Sequence, residues 1–323
     1  MPALRQMRFV RQGPPEVLTA WSGRLRPPAA GEVVVRLAAA GVNVVDLHQR
    51  SGAYRVPLPM VPGIEGSGTV VDIGPGVSGV AAGDRVAWFG VAASYASHCL
   101  VPADRLLPVP DEVGLVDAAA VLVQGMTAHL LAIDVVALNK SSTCLVLAAS
   151  GGVGGLLCQL AARAGATVIA AVGNADKAHA ARAAGAAHVV TYGNGTLAAE
   201  VRTLNGGVDV VYDGIGHDMA ADALPCLRPR GSYVLYGAAG GRAVPLDPQT
   251  LRAAGSLFLT APSLAHYDDT RAAVLRRAAA VFALVADGTL RVRVHASYPL
   301  EQAADAHRAL ESRATIGKIL LVP

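Results

Sequence analysis

The feature that most constrains this chain is Ala148-Ala149-Ser150-Gly151-Gly152-Val153-Gly154, a glycine-rich turn inside a stretch with no charged residue between Lys140 and Arg163. A run that apolar resembles a membrane span, but its glycines would break a spanning helix where the bilayer is driest. It divides instead into a buried strand at 143–148, a tight turn, and a buried helix at 153–164. The same alternation continues downstream. Strands are expected at 167–172, 188–191, 208–212 and 232–236, with a helix at 175–184 and another before residue 208. Strand alternating with helix predicts a parallel, doubly wound α/β sheet.

The flanks follow another rhythm. Before about residue 120, short strands (32–39, 66–73 and 84–88) lie between Gly and Pro clusters such as Pro27-Pro28-Ala29-Ala30-Gly31 and Gly74-Pro75-Gly76. Short strands without long helices predict a compact, barrel-like antiparallel domain. The tail holds a long helix at 270–286, a strand at 292–298, a helix at 300–310 and a last strand at 318–322, and it is expected to rejoin the first domain. The 323 residues suffice for two such domains.

Composition removes several function classes. Hydrophobic residues at 53% against 16% charged exclude disorder, and 4% aromatics make the core aliphatic. A surplus of 27 Lys and Arg over 24 Asp and Glu is too small and too scattered for a nucleic-acid-binding face. Cys99, Cys144, Cys158 and Cys226 lie far apart without a Cys-x-x-Cys pair, so they read as buried thiols rather than a disulfide framework or zinc ribbon. Met1-Pro2-Ala3-Leu4-Arg5 has no apolar run, so the expectation is no secretory signal, no membrane association and a cytoplasmic protein.

The glycine turn carries a chemical reading. After a strand and before a helix, Gly151 lets backbone approach a pyrophosphate and Gly154 lets the helix pack on the strand. The N–H groups at Gly152 and Val153 then open the helix towards the anion. Ala149 replaces the first glycine of the usual G-x-G-x-x-G, so the pattern is a variant. Dinucleotide folds that select NAD place an acid at the tip of the second strand to hold the ribose 2′-OH. Here that tip is Ala171-Val172-Gly173-Asn174, without an acid, and Lys177 follows. Its charge and the start of a helix both favour a 2′-phosphate, with Asp176 opposing. NADPH is therefore favoured over NADH.

Two further segments, Ala40-Gly41-Val42-Asn43-Val44-Val45-Asp46-Leu47-His48 and Val61-Pro62-Gly63-Ile64-Glu65-Gly66-Ser67-Gly68, resemble the medium-chain dehydrogenase/reductase superfamily. Ala81-Ala82-Gly83-Asp84-Arg85-Val86 and the glycine turn follow in that superfamily's order. The resemblance implies a split, GroES-like β-rich catalytic domain (1–122 with 262–323) around a doubly wound Rossmann NADP-binding domain (123–261). Zinc-dependent members have a Cys and the His of a Gly-His-Glu where this chain is matched by Ala40 and Ile64, and neither replacement coordinates zinc. The zinc-free pattern is similar to the quinone oxidoreductases related to zeta-crystallin, whose active-site loop resembles Asn43 to Tyr54 and whose chain ending resembles Leu310-Glu311-Ser312-Arg313-Ala314-Thr315.

What that resemblance implies is a cleft whose nicotinamide end is lined by Asn43, Asp46, His48 and Tyr54. His48 stands where relatives carry Tyr. Lys177 and Tyr192 fall where relatives hold the 2′-phosphate, Arg313 where they contact the cofactor, and Thr127, Gly173, Asn174, Ile215, Tyr236, Gly237 and Leu264 beside it. Other readings stand next to these: Asn43 bonding backbone, Asp46 fixing its loop, Thr127 capping a helix. The expected activity is hydride transfer from NADPH to a quinone, with His48, Tyr54 or water supplying the proton. A 2-alkenal, enone or enoyl thioester substrate fits the same loop. A structural or RNA-associated NADPH-binding role is the alternative of another class, and a net charge of +3 argues against it. The family also implies a homodimer paired at the edge of the nucleotide-binding sheet, through 232–236 and 256–260.

Overall fold

A computed structural model describes residues 3–323. The chain forms two units, one of Met1–Val123 with Ala278–Pro323, the other of Gln124–Arg277. It passes from one to the other within the helices Leu115–Leu130 and Arg271–Ala286.

The first unit is organised by the strand Glu32–Val42, which buries Val33, Val35 and Leu37 on one side of its pleat and leaves Arg36 outside. It pairs antiparallel with Glu65–Ile73, His98–Pro102 and the C-terminal strand Lys318–Val322. That last pairing (Ile319 with Val42, Leu321 with Ala40) explains why the strand runs past its expected end at residue 39: Ala40, Gly41 and Val42 have a partner from the far end of the chain. Three aromatics of this unit, Phe9, Trp88 and Tyr95, are buried with Val70, Val86 and Leu321.

The second unit is a six-stranded, all-parallel sheet in the order His188–Thr191, Thr167–Val172, Thr143–Leu147, Val208–Asp213, Leu227–Leu235, Phe258–Thr260. The order reverses direction at Thr143–Leu147, so the crevice of a doubly wound sheet opens beyond the end of that strand, where the glycine turn lies. Helices pack against the sheet, and Thr143–Leu147 is buried throughout. The expected helix at 175–184 is a 3₁₀ turn, Ala175–Lys177, followed by Ala178–Ala183, since the chain tightens as it leaves the preceding strand. Phe258–Thr260 is an edge strand, with Phe258 and Leu259 exposed.

The membrane-like run at 140–163 is a strand, a turn and a helix. Among the described residues the stretch long and apolar enough to cross a membrane is Leu115–Val135, and it is mostly buried inside the protein.

Candidate functional site

In the second unit the glycine turn is held by backbone. Gly151 N donates to Ala148 O (2.8 Å) and Ala149 N to Ala171 O (3.1 Å). The left-handed residue of the turn is Ala148, at φ 52°, a conformation glycine adopts at less cost. Gly151 caps the helix Gly152–Arg163. A Cβ on Gly154 would stand 2.4 Å from Ala148 O and 2.9 Å from Ala149 Cα, so helix and turn are as close as backbone allows. The atoms nearest a Cβ on Gly152 would all belong to the Gln124 side chain. The first-turn N–H groups at Gly152, Val153 and Gly154 have no acceptor within the helix and stand at its positive end.

The neighbouring strand ends in Gly173 and Asn174, without a carboxylate. Tyr192 follows the edge strand His188–Thr191, and its N–H donates to Val172 O (3.2 Å). Its phenol lies over Gly173, where a Cβ would be 3.3 Å from the hydroxyl oxygen. Lys177 closes the 3₁₀ turn that follows. Partial burial lowers its pKa, and a bound anion would offset that cost.

On the other side of the central strand, Val208–Asp213 ends in a buried acid that sequence reasoning missed. Asp213 accepts from Tyr233 Oη (2.6 Å), Ile215 N (2.7 Å) and Gly216 N (3.0 Å). Burial raises its pKa, against those three hydrogen bonds. Tyr236 N donates to Asp213 O (2.8 Å), and the Tyr236 hydroxyl lies where a Cβ on Gly214 would be 2.6 Å away. Gly237 is as tight, since a Cβ there would stand 2.7 Å from Gly214 O. Asp213 thus gathers Ile215, Tyr236 and Gly237 around one turn. The available signal was an acid closing the largely apolar run Val208-Asp209-Val210-Val211-Tyr212. Thr127 is half-buried on Leu115–Leu130, and Leu264 opens the short helix Leu264–Tyr267.

In the first unit, Asn43 ends the strand Glu32–Val42 and precedes the helix Val44–Ser51. Its backbone N–H donates to Asp46 Oδ2 (2.9 Å). Its side chain is occupied: Nδ2 donates to Glu65 Oε1 (2.8 Å) and Gly41 O (3.3 Å), and Oδ1 accepts from Lys318 Nζ (2.8 Å). Lys318 also donates to Glu65 Oε1 (2.6 Å), an ion pair whose side chains are 1% and 0% exposed. Glu65 Oε2 accepts the Val123 N–H (3.1 Å). Gly41 makes room for this carboxylate, since a Cβ there would stand 2.3 Å from Glu65 Oε1. Glu65 and Lys318 were not singled out in the sequence; their pairing depends on two strands meeting on either side of Glu32–Val42.

Helical periodicity separates the other candidates. Asp46 and Arg50 are buried on the inward face, whereas His48 is half-buried on the outward one. There its ring meets the edge of Tyr54, with centroids 5.0 Å apart and planes at 71°. Tyr54 N donates to His48 O (2.9 Å), and Gln12 Nε2 donates to Tyr54 O (2.7 Å), so the pair is held while the tyrosine stays about half exposed. The structure therefore brings His48 and Tyr54 together and places Asn43 and Asp46 in buried networks. Arg313, also in this unit, is exposed with φ 55°.

Ala40 is buried in its strand, paired with Gly66 and Leu321. Among the described residues no group of three or more His, Cys, Asp or Glu side chains is arranged to hold a metal ion. All four cysteines are buried free thiols.

Comparison with known proteins gives the geometry a family context. Residues 29–111 match the alcohol dehydrogenase GroES-like domain, and residues 184–321 match a family described as zinc-binding dehydrogenase. Quinone oxidoreductase 1 of Escherichia coli (strain K12) is 37% identical over 98% of this chain and 99% of its own. A 2-haloacrylate reductase from a Burkholderia species is 36% identical over 97% of each chain. The crystal structure of E. coli quinone oxidoreductase complexed with NADPH superposes with a TM-score of 0.95 at 37% identity, covering 99% of this chain and all of that one. A mycobacterial protein complexed with NADPH does so with a TM-score of 0.95 at 39% identity, covering the same shares.

Proposed function

Because this chain belongs to the quinone oxidoreductase family of the medium-chain dehydrogenases/reductases, we propose that it is an NADPH-dependent reductase that transfers hydride to quinones without a metal. The observation that carries this reading is the tip of Thr167–Val172. No acid stands there to hold a 2′-OH or repel a 2′-phosphate, and Lys177 and Tyr192 stand beside it. The residues fit the cofactor. Gly151, Gly152, Val153 and Gly154 would take the pyrophosphate, Gly173, Asn174, Lys177 and Tyr192 the phosphorylated ribose, and Thr127, Ile215, Tyr236, Gly237, Leu264 and Arg313 would complete the contacts. The cofactor, when bound, supplies the hydride.

The rest falls to side chains of this protein. A quinone accepts hydride into a conjugated system that spreads charge onto oxygen, so it needs aligned hydrogen-bond donors rather than a Lewis acid. Ala40 and Ile64 bring no lone pair to a metal. His48 and Tyr54 are the donors in this reading, with water as the alternative proton source. Asn43, whose amide is spent on Glu65, Gly41 and Lys318, acts by holding the loop.

A second acceptor class is favoured by one observation, the 36% identity to a 2-haloacrylate reductase. An activated alkene takes hydride in the same conjugated manner. NADPH oxidation with 1,4-benzoquinone, 9,10-phenanthrenequinone, a 2-alkenal and 2-chloroacrylate, each with and without chelator, separates the two. Faster turnover on quinones, unmoved by chelator, supports the first reading; turnover confined to the alkenes supports the second; chelator-sensitive turnover contradicts both. The exposed edge strand Phe258–Thr260 supports a homodimer paired there. A 32.9 kDa species in sedimentation at micromolar concentration would refute it.

A further inference from the structure

Behind the helix Val44–Ser51 runs a chain of buried polar side chains that the hydride chemistry does not use. Arg50 Nε donates to His307 Nδ1 (3.2 Å), and His307 Nε2 lies 3.0 Å from Tyr95 Oη. Tyr95 Oη donates to Asp46 Oδ2 (3.2 Å). At its outer end Arg50 donates to Gly13 O (2.6 Å) and pairs with Glu311. Asp46, Arg50, Tyr95 and His307 are all buried.

Chemistry fixes the direction of these bonds. A guanidinium has no acceptor, so His307 Nδ1 accepts and the ring proton sits on Nε2. Nε2 then donates to the tyrosine oxygen, which leaves the Tyr95 hydrogen for Asp46. Burial and the Arg50 charge hold His307 down at about 3, so the ring stays neutral and the direction does not reverse. Every hydrogen in the chain points at one carboxylate. That carboxylate accepts the Asn43 N–H which starts the helix carrying His48, while its Oδ1 is buried with no hydrogen-bond partner.

We propose that Tyr95 and His307 are positioning residues for the reductase reaction: they hold Asp46 as a carboxylate, and Asp46 fixes the helix start that places His48. The inference rests on the reading of His48 as part of the reacting site. The groups facing Asp46 set its sensitivity to pH. The Asn43 N–H, Lys318 on the C-terminal strand and the Tyr95 hydroxyl favour the charged form, while Glu65 on its own strand opposes it. Arg50 and His307 act on it from behind Tyr95, with Glu311 beyond. Burial is the largest effect and lifts Asp46 to about 7. Activity that needs the carboxylate therefore has an acid limb near neutrality. Removing a donor from the carboxylate raises its pKa and moves that limb to higher pH.

The test measures kcat for 1,4-benzoquinone at saturating NADPH from about pH 5.5 to 9 in wild type, Tyr95→Phe, His307→Leu and Asp46→Asn. In parallel, the Asp46 carboxylic-acid stretch is titrated by infrared difference spectroscopy, with Asp46→Asn as the blank. Tyr95→Phe is expected to move both the acid limb and the infrared midpoint up by about one pH unit, with KM for NADPH within about twofold of wild type. Asp46→Asn is expected to lack the limb. His307→Leu shifts in the same direction by less, and stands in should Tyr95→Phe fail to fold. Coincident limbs and midpoints in wild type and the variants overturn the proposal, as does a limb retained in Asp46→Asn. If wild type reduces no acceptor, the proposed function fails separately. The infrared midpoint then decides the Tyr95–Asp46 link, and an unshifted one contradicts it.

Discussion

The two units meet their functional demands in opposite ways. In Gln124–Arg277 the candidate cofactor site is mostly backbone: a glycine turn, and the tips of neighbouring parallel strands. Its critical residues are those where a Cβ would not fit. In the other unit, the loop after Glu32–Val42 is held by side chains from residues 65, 95, 307 and 318, all buried. A backbone site fails when an atom is added. A buried polar network fails when a partner is removed. The predictions below set those two vulnerabilities against each other.

The largest effect is expected at the buried ion pair. Lys318→Met leaves the Glu65 carboxylate without its cation in the core, which costs about 3–5 kcal/mol. Urea denaturation should show that loss, and the double variant Glu65→Gln/Lys318→Met should recover more than half of it. A loss under about 1 kcal/mol would mean that the network does not organise this unit.

The next effect is pH-dependent and belongs to the same unit. Asp46 is raised from 3.8 to about 7 by burial, so its contribution to stability is fully present below about pH 4 and is lost as pH rises through about 7. His307 is lowered from 6.5 to about 3, so its contribution is present above 6.5 and is lost as pH falls towards 3. Between about pH 4 and 6.5 the two slopes, each about 1.4 kcal/mol per pH unit, oppose one another. Wild-type stability should be flat across that window as far as this pair decides it. Asp46→Asn should gain stability with rising pH. Denaturant midpoints that track wild type at every pH would break the assignment.

In the other unit, Gly154→Val drives atoms into the backbone of the turn, at about 1–3 kcal/mol of stability. NADPH affinity, read by fluorescence titration, should fall at least about tenfold, since the amides that would face the pyrophosphate move with the turn. Gly152→Ala is the control: its Cβ meets a side chain that can swing away, so its cost stays under roughly 1 kcal/mol. Equal effects at the two glycines would deny that backbone contact is what Gly154 protects. On stability the smallest effect is expected of Lys177→Ala, which should leave the fold unchanged and reduce discrimination for NADPH over NADH by about tenfold, or about 1.4 kcal/mol.

The same contrast governs what the sequence makes legible. Thr143–Leu147, Thr167–Val172 and His188–Thr191 lie within a residue of expectation because each is an apolar, β-branched run bounded by turn residues. The glycine turn is equally visible because its reason is local: the helix must touch the strand that precedes it. Lys318 shows no such signal. Beside Ile316-Gly317 it resembles a surface lysine opening a strand, and only the register of Lys318–Val322 on Glu32–Val42 turns it inward to Glu65. His307 likewise sits in a helix of mixed polarity and joins Asp46 only through Tyr95, more than 200 positions away in the chain. Asn43 and Asp46 stand out in the sequence through the loop motif that holds them, but their partners do not, and the partners decide that both face inward.

The most direct test of the central claim is the ratio of kcat/KM for NADPH to that for NADH with one quinone acceptor, measured with chelator present. A carboxylate-free strand tip backed by Lys177 and Tyr192 predicts a preference for NADPH of at least about tenfold. Equal use of the two cofactors, or a preference for NADH, would contradict it.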